Sequence, residues 1–269
     1  MFDQGLAKKA ADNLTKLRQA RPLIHNITNF VVMNNTANAL LACGASPVMA
    51  HAIGEVEEMV SFAGALVLNI GTLTPEWVES MLKAGKKANE LNIPIILDPV
   101  GSGATKLRTD SAKRLIDCLS ITVVRGNASE VLSLAREGSQ TKGVDAIHSV
   151  DEAADAAITL AGELETTIVI TGEVDLVTRE GRILMIHNGD KLMGYVTGTG
   201  CTATSLIGAF LAIDPDSVEA SATALAYFGY AGERAATKAE GPGSFQAALL
   251  DTLYGMTAAD LEQGSKIRG

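Results

Sequence analysis

Gly198-Thr-Gly-Cys-Thr-Ala-Thr-Ser-Leu-Ile-Gly-Ala-Phe-Leu-Ala-Ile213 reads as a tight turn running into a helix. Small residues come first, and apolar ones follow at helical spacing. Two glycines let backbone N–H groups approach a ligand, and a helix start gathers unpaired donors and partial positive charge. Such a start is a seat for an anion, most often a phosphate. The same pattern also suits a plain turn before a buried helix, so the rest of the chain has to decide.

Working outward, short runs rich in Val and Ile alternate with longer helical patterns. Strands are expected at Leu23–Ile27, Pro47–Ala50, Leu66–Ile70, Ile93–Leu97, Ile121–Val124 and Thr167–Ile170, then a hairpin of Asp175–Thr178 and Arg182–His187. Helices are expected near 4–19, 33–42, 55–63, 75–91, 105–118, 128–137, 151–163, 201–213, 216–239 and 243–256. Thr74-Pro75 and Asp214-Pro215 look like N-cap and N1 pairs. The alternation predicts an α/β fold, with a central mainly parallel sheet flanked by helices on both faces. Three helices in a row after the hairpin suggest a sheet that finishes early under a helical layer. With no low-complexity linker and no repeat, residues 1–269 read as one domain.

Bulk properties narrow the function. A 47% apolar content with 26 glycines and 7 prolines fits a compact α/β protein with many turns. The three cysteines, Cys43, Cys118 and Cys201, lie far apart, and neither they nor the four histidines show zinc spacing. Free thiols point to a reducing cytoplasm. The formal charge of −9 argues against nucleic acid or anionic membrane as partners. The charged N-terminal segment has no apolar h-region, and no apolar run is long enough to span a bilayer.

In open parallel sheets ligands collect at the carboxyl ends of the strands, so those residues carry the chemistry. Asp98-Pro-Val-Gly101 and Asn127-Ala-Ser-Glu130 offer two carboxylates, Asp98 and Glu130, and magnesium favours few carboxylates plus water and substrate phosphates. Asn127 and Glu130 also read as a helix cap with its reciprocal partner. Arg125 has forked donors for phosphate, or for a structural ion pair. Thr171-Gly172 offers a hydroxyl to a nucleotide, or only a turn. Asn29 and Val31 are candidates for a small pocket, and Met49 for its apolar wall or for core packing. Gly198–Ala203 also satisfies the loose dinucleotide pattern, but the segment after it reads as another helix rather than the required strand. No Walker motif occurs; Gly101–Lys106 only echoes one.

Taken in order, Asn26-Ile-Thr-Asn29, Asn34-Asn-Thr-Ala-Asn38, Ala45-Ser-Pro-Val-Met49, Asp98-Pro-Val-Gly101, Arg125-Gly-Asn-Ala-Ser-Glu130, Thr171-Gly172, Gly198-Thr-Gly-Cys201 and Glu240–Phe245 resemble hydroxyethylthiazole kinases. The resemblance runs from about residue 20 to residue 260. It implies a ribokinase-like fold, a homotrimer, ATP, Mg²⁺, and phosphorylation of 4-methyl-5-(2-hydroxyethyl)thiazole for thiamine synthesis or salvage. By motif, Met49 and Gly198 match substrate contacts, with Asn29 and Val31 as further pocket candidates. Arg125, Thr171 and Asn127 match the ATP side, and Glu130 with Asp98 the magnesium side. Thr199, Gly200 and Cys201 fall on the catalytic turn. The wider superfamily has an aspartate as base where Cys201 stands, so this chain departs from that pattern. A thiol at a helix start is expected to have a lowered pKa. A hydroxymethylpyrimidine kinase, a nucleotide-dependent NAD(P)H-hydrate dehydratase and a non-catalytic nucleotide sensor are the rival readings. The polar segment 137–149 has the composition of a mobile flap.

Overall fold

The computed structural model describes residues 1–135 and 150–269, and the segment considered as a flap lies outside them. Among the described residues, nine strands form one sheet. They are β1 (Leu23–Ile27), β2 (Ser46–Val48), β3 (Ala65–Asn69), β4 (Ile95–Asp98), β5 (Val123–Gly126), β6 (Thr167–Ile170), β7 (Asp175–Arg179), β8 (Arg182–Ile186) and β9 (Ile267–Arg268). Their order is β2-β1-β3-β4-β5-β6-β7-β8-β9. Pairings from β2 through β6 are parallel, and those from β6 through β9 are antiparallel.

The helices are α1 (Gln4–Ala20), α2 (Met33–Cys43), α3 (Val56–Val60), α4 (Pro75–Glu90), α5 (Lys106–Cys118), α6 (Ala128–Leu132), α7 (Val150–Leu164), α8 (Thr199–Leu211), α9 (Ser217–Ala236), α10 (Pro242–Gly255) and α11 (Ala258–Gly264). Side-chain alternation sends each central strand into two cores. Val67 and Ile96 join residues of α1, α2, α8, α9 and α10 on one face, while Leu66, Leu68, Ile95 and Leu97 join residues of α4, α5 and α7 on the other. Burial on both faces explains why these strands read as continuous apolar runs. The chain passes from β1 to β2 at one edge and returns to β3 on the other side of β1. That reversal opens a crevice beyond the carboxyl ends of β1 and β3.

Several boundaries differ from the sequence reading in ways that matter for the site. Asp98 and Arg125 lie within β4 and β5 rather than beyond them. Helix α8 begins at Thr199, two residues earlier than expected, which makes Gly198 the cap and places Cys201 in the first turn. Helix α6 ends at Leu132, short of the expected 137. Asp214 does not cap α9; that helix starts on Asp216, and Asp214 accepts the Asp216 N–H (3.2 Å) and pairs with Lys9 (3.0 Å). The sheet does not finish at the hairpin either. Four helices follow, and β9 then returns to pair with β8 at the sheet edge. Two residues are too few for any period to announce a strand.

Candidate active site

The first turn of α8 is the centre of the site. Gly198 caps it at φ +83°, a left-handed conformation that favours glycine, and no side chain caps the helix. Thr202 N–H bonds Gly198 O (2.8 Å), but the N–H groups of Thr199, Gly200 and Cys201 have no acceptor among the described residues. The turn is nonetheless rigid. Thr199 Oγ1 donates to Met193 O (3.0 Å), Thr204 Oγ1 to Asp98 (2.8 Å) and Ser205 Oγ to Asn26 (2.8 Å). The polar face of α8 is thus docked on the ends of β1 and β4.

Around this start the strand ends form one connected set. Asn29 Nδ2 donates to Asn69 Oδ1 (2.8 Å) and contacts Cys201 Sγ (3.5 Å). Asn69 Nδ2 in turn donates to Asp98 Oδ2 (2.7 Å). Arg125 Nη1 stands 3.8 Å from the same Asp98 oxygen, and Nη2 donates to Thr171 Oγ1. A Cβ on Gly200 would lie 2.7 Å from Arg125 Nη1, so only glycine lets the guanidinium come so close to the helix start. Asp98 is fully buried, with Oδ1 unpartnered, and Arg125 Nε is likewise buried without a partner. Each has hydrogen-bonding capacity left over, which is uncommon for buried polar atoms.

Burial shapes the ionisable groups here. It pushes the Asp98 carboxyl above the ordinary carboxylate range, against the opposing pull of Arg125 and of the Thr204 and Asn69 hydrogen bonds. It also pushes the Cys201 thiol up to about 11, and the nearby Asp98 charge acts in the same direction. The expected lowering at the helix start is therefore reversed, because burial and a neighbouring negative charge outweigh the helix field. Cys201 is a neutral thiol at neutral pH.

Glu130 sits where two loops meet. Its Oε1 accepts the N–H of Gly101 (2.8 Å) and its Oε2 that of Asn127 (2.9 Å), while Asn127 Oδ1 accepts the Glu130 N–H (2.9 Å). The capping box read from sequence is present, and it also joins the loop after β4 to that after β5. Met49 follows the edge strand β2 and is half-buried; the next carbonyl, of Ala50, lies 2.8 Å from His25 Nε2. Val31 donates its N–H to Asn29 Oδ1 (3.1 Å), yet its side chain is 64% exposed.

Beside Arg125 and Gly200 opens a cavity of about 720 Å³. Arg125, Thr171, Thr199 and Gly200 line it together with the apolar Leu225, Phe228 and Met193. Asp175 lies on its margin, where burial raises its carboxyl to about 6 and the Gly172 N–H donates to it (3.0 Å). The sequence reading places Asn69 among the strand-end residues without giving it a role, and it does not single out Thr204, Asp175 or this apolar lining. Asn69 was signalled by a polar residue closing an all-apolar run, and Thr204 by a hydroxyl one turn into a buried helix.

Residues 14–259 match the model of the Hydroxyethylthiazole kinase family. A protein of Desulfotalea psychrophila named hydroxyethylthiazole kinase is 61% identical over 259 residues, 96% of this chain and 95% of that one. The structure of the hydroxyethylthiazole kinase protein from Pyrococcus horikoshii superposes with a TM-score of 0.90 at 45% identity, covering 97% of this chain and 98% of that one. A ribokinase-like superfamily protein from Enterococcus faecalis shares the fold at a TM-score of 0.66 and 14% identity, over 93% of this chain and 94% of that one. The glycine-capped turn, the strand-end network and the cavity thus stand on a ribokinase-like scaffold, and the chain belongs to the hydroxyethylthiazole kinase family.

Proposed function

We propose that the protein transfers the γ-phosphoryl group of ATP to the hydroxyl of 4-methyl-5-(2-hydroxyethyl)thiazole. The bond from the γ-phosphorus to the β-bridging oxygen breaks, a bond to the alcohol oxygen forms, ADP leaves, and the alcohol proton passes to solvent. The observation that carries this reading is the trio of unpartnered N–H groups at Thr199, Gly200 and Cys201, the first two on residues that line a cavity together with Arg125. Phosphoryl transfer proceeds through a loose transition state, so fixed donors and charge neutralisation supply most of the catalysis. Arg125 and Thr171 bind the donor phosphates. Asn29, held by Asn69, presents its amide beside Cys201 on the acceptor side. A neutral thiol there serves as a group of the right size rather than as a strong base. Met49, Gly198 and Val31 complete the acceptor pocket by the family pattern.

Magnesium is the metal this chemistry calls for. Among the described residues no three His, Cys, Asp or Glu side chains converge to enclose an ion. A sparse donor set fits magnesium, which keeps several waters and leans on substrate phosphates. The unpartnered Asp98 Oδ1 and the Glu130 carboxylate are the groups that would hold its shell. When bound, the ion neutralises phosphate charge. We place the enzyme in the cytoplasm as a homotrimer with acceptor sites near subunit contacts, a reading supported by the exposed Phe30 and Val31 at the mouth of the crevice. No helix among the described residues is long and apolar enough to cross a membrane.

The test is ADP release with ATP and Mg²⁺, comparing thiazole alcohol, hydroxymethylpyrimidine and no acceptor. Turnover with the thiazole alcohol is expected. Turnover with the pyrimidine alone, or nucleotide binding without turnover, would overturn the assignment.

A further inference from the structure

Beyond the carboxyl end of β2, the segment that carries Met49 hangs on one hydrogen bond. Strand β2 lies at the sheet edge with β1 as its single neighbour, and its last pairing sets Val48 opposite His25. Among the described residues, no backbone hydrogen bond then engages Met49, Ala50 or His51. The backbone is picked up again at Ala52, whose carbonyl accepts the N–H groups of Glu55 (2.9 Å) and Val56 (3.2 Å). In between, His25 Nε2 lies 2.8 Å from Ala50 O. The segment stands on the acceptor side of the site. His51 packs against Trp77 with ring centroids 4.6 Å apart, and Trp77 against Phe30 at 4.8 Å. Phe30 directly follows Asn29, whose amide contacts Cys201 Sγ (3.5 Å).

His25 is fully buried, and alternation along β1 puts it on the face of Ile27, which packs in one core with Val56 and Val60 of α3. Burial lowers the pKa of its imidazole, against the Ala50 hydrogen bond and the Glu55 charge, so the ring is neutral near pH 7. A neutral ring has one N–H, and a carbonyl only accepts, so Nε2 carries the proton. Nδ1 is left buried without a partner. A rigid ring rooted in an interior strand thus fixes a carbonyl that the sheet itself no longer reaches.

We infer that His25 is a positioning residue for the acceptor: its hydrogen bond to Ala50 sets where Met49 stands, so binding of the thiazole alcohol depends on a side chain that touches no substrate. The inference rests on the acceptor role proposed for Met49 above. The test compares His25→Gln, His25→Asn and His25→Leu, with kcat and KM measured for each substrate. Gln keeps a donor at about the reach of Nε2. Asn carries the same amide on a shorter chain, and Leu fills the space with no donor, which keeps the test open should a buried amide unfold the protein. The Asn and Leu variants are expected to raise KM for the thiazole alcohol by about 10-fold, the scale of one buried hydrogen bond, with kcat and KM for ATP near the parent values. The Gln variant is expected to behave as the parent. Trp77, the single tryptophan, touches His51 and reports on the segment without turnover. Its emission is expected to shift in the Asn and Leu variants and to stay unchanged in the Gln variant. An unchanged acceptor KM in the Asn and Leu variants overturns the inference, as does an equal rise in both KM values or a Gln variant that fails like Asn. Met49→Ala checks the reading beneath: an unchanged acceptor KM there overturns the acceptor role of Met49, while a raised one beside unaffected His25 variants overturns the inference alone.

Discussion

Helices α8 and α9 follow one another in the chain, yet their starts are finished in opposite ways. The start of α9 is closed by its own sequence: Asp216 accepts the N–H groups of Val218 and Glu219, both at 3.0 Å. The start of α8 has a glycine where α9 has its aspartate, and its first three N–H groups stay open. A capped helix start is finished as structure, and an uncapped one beside an arginine is a binding surface. The contrast separates residues that hold the fold from residues proposed to hold a ligand, and it can be attacked from either side.

The largest effect is expected from Gly200→Ala. The added methyl group meets the far end of the Arg125 side chain, so the fold survives while the guanidinium shifts from the helix start. Displacing a positioned group by about 1 Å costs on the order of 100-fold, so kcat/KM is expected to fall by about that factor with Tm nearly unchanged. An unchanged kcat/KM would break the comparison. Cys201→Ala is expected to lower kcat by about 10–100-fold, at or below the lower end of the range for proton-transfer groups. A loss of several thousandfold would show an essential nucleophile or base at that turn.

Asp175 tests the donor side through pH. Its carboxyl holds a proton up to about pH 6 in the folded protein, against an ordinary value of 3.8. Between those values the folded state binds more protons than the unfolded, so stability declines as pH rises through the window. Asp175→Asn is therefore expected to exceed the parent in Tm above about pH 6 and to converge with it below about pH 4, as read by thermal melts across pH. A pH-independent difference would contradict the buried carboxyl. Smallest is Asp216→Ala at the capped helix, expected to cost about 1 kcal/mol of stability with kcat unchanged. A drop in kcat there would blur the line between the two helix starts.

Much of this was legible in the sequence. The glycine pair before a run of small and then apolar residues marked α8, and Asp98, Arg125 and Thr171 stood at strand ends, as an open parallel sheet requires. What stayed hidden depends on partners remote in the chain. Asp98 is held by Asn69 and Thr204, 29 and 106 positions away, and no local pattern encodes such a pairing. The thiol of Cys201 went astray for the same reason: the helix start is visible in sequence, while burial and the Asp98 charge are not. The α9 cap shifted by two residues because Asp214 and Asp216 are both suitable caps, and Lys9, far upstream, pairs with the first of them.

Burial of Cys201 carries a consequence for oxidative damage. Peroxide attacks the thiolate, and a thiol held near 11 supplies very little of it at cellular pH. The exposed Cys118 meets oxidant first, away from the phosphoryl seat. The turn proposed for phosphoryl transfer can thus keep a sulfur atom in its first helical residues without becoming a redox switch.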